Sequence, residues 1–135
     1  METERVTLEE ALTVYQLEFL SARNYAANTR HAYVRDIRDL IDFLTGSTQL
    51  AHPDAVGKLH LEAFLSDLDQ RGLSGNSRRR IVASVRSFFA FCADRGFTQA
   101  DPTTKLVSPA REYTEARYLI LQRYFARITP SDRQT

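Results

Sequence analysis

Apolar residues recur at intervals of three and four along four stretches of the chain, the signature of amphipathic helices. The first stretch opens at Thr7, which stands three residues before Glu10 as a capping box requires. It carries Leu8, Leu12, Tyr15 and Phe19 inward, widened by Ala11 and Leu20, and is expected to end near Arg23. Asn24 to Asn28 reads as a connector, with Asn28 as N-cap of a second helix that runs to about Leu44. In that helix Tyr33, Ile37, Leu40, Ile41 and Leu44 share one face, and Asn28, His31, Arg35, Arg38 and Asp42 share the other. A third helix is expected over roughly 60–70, with Leu61, Phe64, Leu65 and Leu68 inward and Gly72 just past its end. Ser74 or Asn76 caps a fourth, which continues to about Asp94 and stops at Gly96.

The punctuation agrees with this division. Residues 1–45 and 76–95 contain neither Gly nor Pro, as uninterrupted helices require. Pro53 and Gly57 break residues 47–58 into irregular chain, and a short turn is expected after Asp101, with Pro102 at its first position. Nowhere do β-branched residues alternate with polar ones over a useful length, so no strand is expected. The fold class is therefore all-α: four helices with short connections, a bundle. Beyond Pro109 the basic, aromatic sequence AREYTEARYLILQRYFARI reads as a linker followed by one short amphipathic helix.

Composition narrows the function. The length, 135 residues, fits one domain, and 43% apolar with 26% charged residues is ordinary for a globular chain. One cysteine, Cys92, excludes an intramolecular disulfide framework and a Cys-based zinc site; on the apolar face of the fourth helix it is expected to be an inert core residue. No apolar run approaches the roughly 20 residues that cross a bilayer. The acidic start METERVTLEE has no apolar signal region, so a soluble, cytoplasmic protein is expected. His31, His52 and His60 are too scattered to form a metal site. Asp36, Asp39 and Asp42 interleave with Arg35 and Arg38, which reads as a solvated, partly salt-bridged face. Neither cofactor, metal nor small-molecule substrate is expected.

Charge is distributed unevenly. Residues 1–70 hold six Lys/Arg against twelve Asp/Glu, whereas residues 71–135 hold twelve against five. The excess concentrates in the fourth helix: from Arg71 to Arg95 there are six arginines and one acid, Asp94. Periodicity puts Ile81, Val85, Phe88, Phe89 and Cys92 on its inner face. Asn76, Arg79, Arg80, Ala83, Arg86 and Ser87 lie nearly opposite, with Arg78 on the flank. Three consecutive arginines in the first turns oppose the helix dipole, where a sequence chosen for helix stability would place acids. Two readings remain open from charge alone. The arginines await a polyanion, for which duplex DNA is the natural candidate, or they form a solvated basic face or pair with the acidic half of the same chain.

Three segments together resemble the N-terminal core-binding, SAM-like domain of tyrosine recombinases and phage integrases, especially of the Xer type. They are YQLEFLSARNYAANTRHAYVRDIRDLIDFL, LEAFLSDLDQRGLSGNSRRRIVASVRSFFAFCADRGF and DPTTKLVSP. The shared features are Thr29 with Tyr33, Asp36 with Leu40, the Gly72–Ser74 turn and the Arg86–Phe89 run; Asp101–Pro102 stands where Asn-Pro is usual. The resemblance implies a core-binding domain over residues 1–109, an orthogonal four-helix bundle that grips a recombination half-site through helices two and four. Its DNA-binding residues would be Asn28, Thr29, His31 and Arg35 from the second helix. From the fourth they would be Asn76, Ser77, Arg78, Arg79, Arg80, Ala83 and Arg86. Tyr33 falls on the core face and reads as packing.

The resembled family cleaves DNA with a tyrosine assisted by Arg, Lys and His from a separate C-terminal domain. Here no His is followed three residues later by Arg, and Tyr113, Tyr118 and Tyr124 have no such partners in sequence. Catalysis by this chain is therefore not expected, and residues 110–135 resemble only the linker and first helix of that domain. The partners implied are double-stranded DNA and other recombinase protomers, with no membrane. The alternative is a helical protein-interaction or regulatory module derived from a recombinase, docking through Tyr118, Leu119, Leu121 and Phe125.

Overall fold

The computed structural model describes residues 5–106 and, in the tail, Arg123. The tail helix and its docking residues therefore lie outside the described residues. Over residues 5–106 four α-helices form the fold: α1 (Leu8–Val14, continued as a π-helical segment over Tyr15–Leu20), α2 (Ala27–Phe43, continued likewise over Leu44–Thr48), α3 (Lys58–Gln70) and α4 (Gly75–Asp94). Among the described residues there is no strand. The all-α expectation holds.

Local chemistry sets the boundaries. Thr7 and Glu10 cap each other reciprocally: Glu10 N–H donates to Thr7 Oγ1 and Thr7 N–H donates to Glu10 Oε1, both at 3.0 Å. Ser74 caps α4 by accepting from the Ser77 N–H at 3.1 Å, and Gly72 and Gly96 take the left-handed φ values, 86° and 77°, that end α3 and α4. Two expectations need correction. Asn28 is not the N-cap of α2; Ala26 is, in extended conformation and without a side-chain cap, so that Asn28 is already the second helical residue. Tyr25 packs its ring against Tyr33, centroids 5.5 Å apart, and this contact brings the chain onto the helix axis two residues early. Helix α3 likewise starts at Lys58, because His60 turns its ring back and Nδ1 accepts from the Gly57 N–H at 3.0 Å.

The core lies where the periodicities meet. Leu8, Leu12 and Tyr15 from α1, Ile37, Leu40 and Ile41 from α2, Leu61, Phe64 and Leu68 from α3, and Ile81, Phe88 and Phe89 from α4 are all buried. At about 1.5–3 kcal/mol per large side chain removed from water, this cluster is the main stabilising term. Tyr15 joins α1 to α4: its ring stacks on Phe19 at 5.2 Å and meets Phe88 and Phe91 edge-on at 5.4 Å. Its hydroxyl shares a 2.7 Å hydrogen bond with Ser87. Burial pushes the Tyr15 phenol up to about 12 and the Cys92 thiol, fully buried, also to about 12. Past α4, Asp101 accepts from both the N–H and the hydroxyl of Thr103 and so makes the turn expected there. Among the described residues no helix is long and apolar enough to cross a membrane.

Candidate nucleic-acid interface

Helices α2 and α4 pack side by side, and a buried ion pair marks their seam. Asp36, only 3% exposed, accepts from Arg80 Nε at 3.2 Å and from Arg80 Nη2 at 2.8 Å. Ser84, one turn further along α4, donates its hydroxyl to the same carboxylate at 2.8 Å. A carboxylate this deep is stable only when paired and hydrogen-bonded, and it has three donors. The hydrogen bonds that Arg80 donates to Asp36 hold its guanidinium charged still more firmly than usual. The interleaved charges of α2 put Asp36 on a solvated face; the seam with α4 buries it instead.

The arginines of α4 divide into committed and free. Arg78 turns toward α3, where Nη1 meets Asp69 at 3.2 Å and the side chain is only 16% exposed. Arg86 reaches across to the exit segment and donates to the carbonyls of Thr103, at 3.2 Å, and Leu106. Among the described residues Arg79 alone points outward with no carboxylate, and its partner there is the Asn76 amide oxygen, one turn back on the same helix. Asn76 and Ala83 are exposed beside it, and Ser77 is half-buried behind the Ser74 cap. The outward row of α4 is therefore Asn76, Arg79 and Ala83, with the Arg80 fork at its inner edge.

On α2, Asn28, His31 and Arg35 are exposed and Thr29 is half-buried. His31 and Arg35 line a groove of about 440 Å³ with Gln16, Val34, Arg38 and Asp39. Arg35 has no acidic partner among the described residues, whereas Arg38 is held by Glu9 at 3.1 Å. Arg71 is likewise engaged by Asp39 and Asp67, and Arg95 by Glu18. Arg71, Arg78, Arg80 and Arg95 thus pair with acids of residues 1–70, while Arg35 and Arg79 have no acidic partner among the described residues. Periodicity places these side chains by angle; it misses the acids that α3 and α2 bring within reach. Ser84 and Asp36, polar residues on the flanks of facing helices, are the available signal.

The other histidines have structural partners. His52 Nδ1 lies 3.1 Å from the Val6 carbonyl, and His60 caps α3 with its pKa lowered by burial. Among the described residues no group of three His, Cys, Asp or Glu is placed to hold a metal ion.

Residues 12–96 match the family model of the phage integrase N-terminal SAM-like domain. The chain belongs to this family. Phage integrase SAM-like domains are thereby identified as its kin over α1 to α4, the stretch that holds the Asp36–Arg80 seam and the row on α4. The chain is 36% identical to tyrosine recombinase XerC of Roseiflexus castenholzii over 102 residues, 76% of this chain and 32% of that protein. It is 28% identical to tyrosine recombinase XerD of Listeria monocytogenes, covering 84% of this chain and 38% of the relative. It is 33% identical to XerD of Rhizobium meliloti, covering 78% and 34%. The chain thus spans about a third of the length of the curated relatives it matches, and the match covers the SAM-like domain only. No solved structure matches it.

Proposed function

We propose that this chain is a DNA-binding module of a site-specific recombinase, gripping one recombination half-site through α2 and α4 and leaving strand cleavage to residues outside the SAM-like domain. The observation that carries this reading is the outward row Asn76, Arg79 and Ala83, bordered by the pinned fork of Arg80. It is the exposed face of a single α-helix, an element that a major groove admits, with a small residue where backbone must approach closely. Arg35 and His31, exposed on α2, would add phosphate contacts. Arg78 and Arg86 contribute through the fold rather than by touching DNA, since Nη1 of Arg78 is paired with Asp69 and the Arg86 guanidinium donates to the Thr103 and Leu106 carbonyls. Residues 1–109 act as the core-binding unit, residues 110–135 as linker and tail, and other recombinase protomers are partners on adjoining half-sites.

Gel-shift titration with a nonspecific duplex at 50 and 200 mM salt tests the reading. A shift that weakens steeply with salt is expected, because affinity from phosphate contacts falls with a slope of about 0.9 per contact in log–log terms. Self-association with no shift at either salt concentration would replace it with the protein-interaction module.

A further inference from the structure

We propose that Arg80 is a base-reading side chain, selecting guanine at one position of the bound duplex, and that Asp36 and Ser84 are the positioning residues that hold it ready. The proposal rests on the DNA-binding reading above and deepens it. A guanidinium has five N–H donors in a rigid plane. Arg80 gives the edge formed by Nε and Nη2 to Asp36, at 3.2 and 2.8 Å. The opposite end, Nη1 with the second hydrogen of Nη2, has no partner among the described residues, and 41% of the side chain is exposed. That end is a pair of parallel donors, which matches the O6 and N7 acceptors on the major-groove edge of guanine.

The surroundings favour a base over a phosphate. Asp36 neutralises Arg80, so the pair offers little net charge to a phosphate, whereas Arg79 beside it has no acidic partner among the described residues and is suited to that role. The carboxylate cannot follow Arg80 outward, because it is 3% exposed and tied by the Ser84 hydroxyl at 2.8 Å. Arg80 is therefore fixed in one rotamer before DNA arrives. A fixed fork discriminates among base edges, whereas a mobile one adapts to any acceptor. Arg80 also sits one residue from the row on α4 that the DNA-binding reading assigns to the groove.

Selection of the full chain on a duplex pool with randomised positions tests this directly. The wild-type pool should show one position strongly enriched in G. Arg80→Lys keeps the charge and can still meet Asp36 but has no planar fork. It should lose that enrichment, about tenfold or more in discrimination, while the salt slope of random-duplex binding stays unchanged. Asp36→Asn raises the net charge by one. It should bind random duplex at least as tightly as wild type and yet discriminate less at the same position. Ser84→Ala should weaken the preference in the same direction and more mildly.

Retention of the G position in Arg80→Lys overturns the proposal. So does a salt slope flattened by about 0.9 with every base preference intact, which would make Arg80 a phosphate contact. If Asp36→Asn only lowers the melting temperature and leaves the G position untouched, the pair is a structural lock and the proposal fails. A wild-type chain that binds no duplex at all fails at the earlier step, the DNA-binding reading itself.

Discussion

Arg78 and Arg79 are neighbours in sequence with the same side chain, and the structure gives them opposite expected responses to removal. Arg79 has no carboxylate within reach among the described residues, so on binding it neutralises a phosphate and releases the counterion condensed there. Each such contact contributes about 0.9 to the slope of log affinity against log salt. Arg79→Ala should flatten the slope by that amount. Across a fourfold salt change, from 50 to 200 mM, the variant should lose about 3.5-fold less affinity than the wild type does. Arg78 is already neutralised by Asp69 at 3.2 Å and is mostly buried, so Arg78→Ala should alter the slope much less and show its effect in thermal stability. Fluorescence-anisotropy titrations of a labelled duplex at four salt concentrations measure both variants side by side. Equal flattening by the two, or an unchanged slope in Arg79→Ala, would refute the division of α4 into committed and free arginines.

Three further outcomes rest on the same geometry. Arg86→Ala removes two charge-assisted hydrogen bonds to the carbonyls of Thr103 and Leu106; discounted for the partial exposure of Arg86, this should cost about 1–2 kcal/mol, with faster amide exchange confined to the segment after α4. Tyr15 and Cys92 are both held protonated by burial, at about 12 against ordinary values of 10.0 and 9.0. Their contribution is complete below pH 9 and is lost as pH climbs toward 12, so denaturant midpoints should fall across that window, and Cys92 should resist thiol reagents until the chain unfolds. His60 has the opposite sign: its pKa lies below 6.5 in the folded chain because burial disfavours the charged ring. Stability should therefore be full above about pH 6.5 and decline below it, and His60→Gln should show a weaker decline between pH 7 and 5.

How much of this is legible in the sequence varies with the kind of interaction. Inward faces depend on spacing within one helix, and Ile81, Val85, Phe88, Phe89 and Cys92 are buried as their periodicity requires. The Thr7–Glu10 box is equally local and equally readable. Capping chemistry alone favours Asn28 and misplaces the start of α2, because Tyr25 and Tyr33 decide it across a turn. Arg78, Arg80 and Arg86 fall into one group with Arg79 on the helical wheel because all are basic and close in sequence. What separates them is contact with Asp69, Asp36 and the Thr103–Leu106 carbonyls, partners 9 to 44 residues away in the chain. Angle on a helical wheel is sequence information; the identity of the facing carboxylate is not.

The π-helical continuations of α1 and α2 carry one more residue per hydrogen-bonded loop than an α-turn does, as in the bond from the Ser21 N–H back to the Gln16 carbonyl. Such a turn acts as slack in an otherwise taut rod. Excising one residue between 15 and 20 is absorbed by rewinding to the tighter form, and the residues on either side keep nearly the phase they had. The same excision within the α-helical turns of α1 has nothing to absorb it and would rotate every later residue by about 100°, taking Phe19 away from Phe91 of α4. The surplus residue is thus what lets the first helix change length without turning its aromatic face out of the bundle.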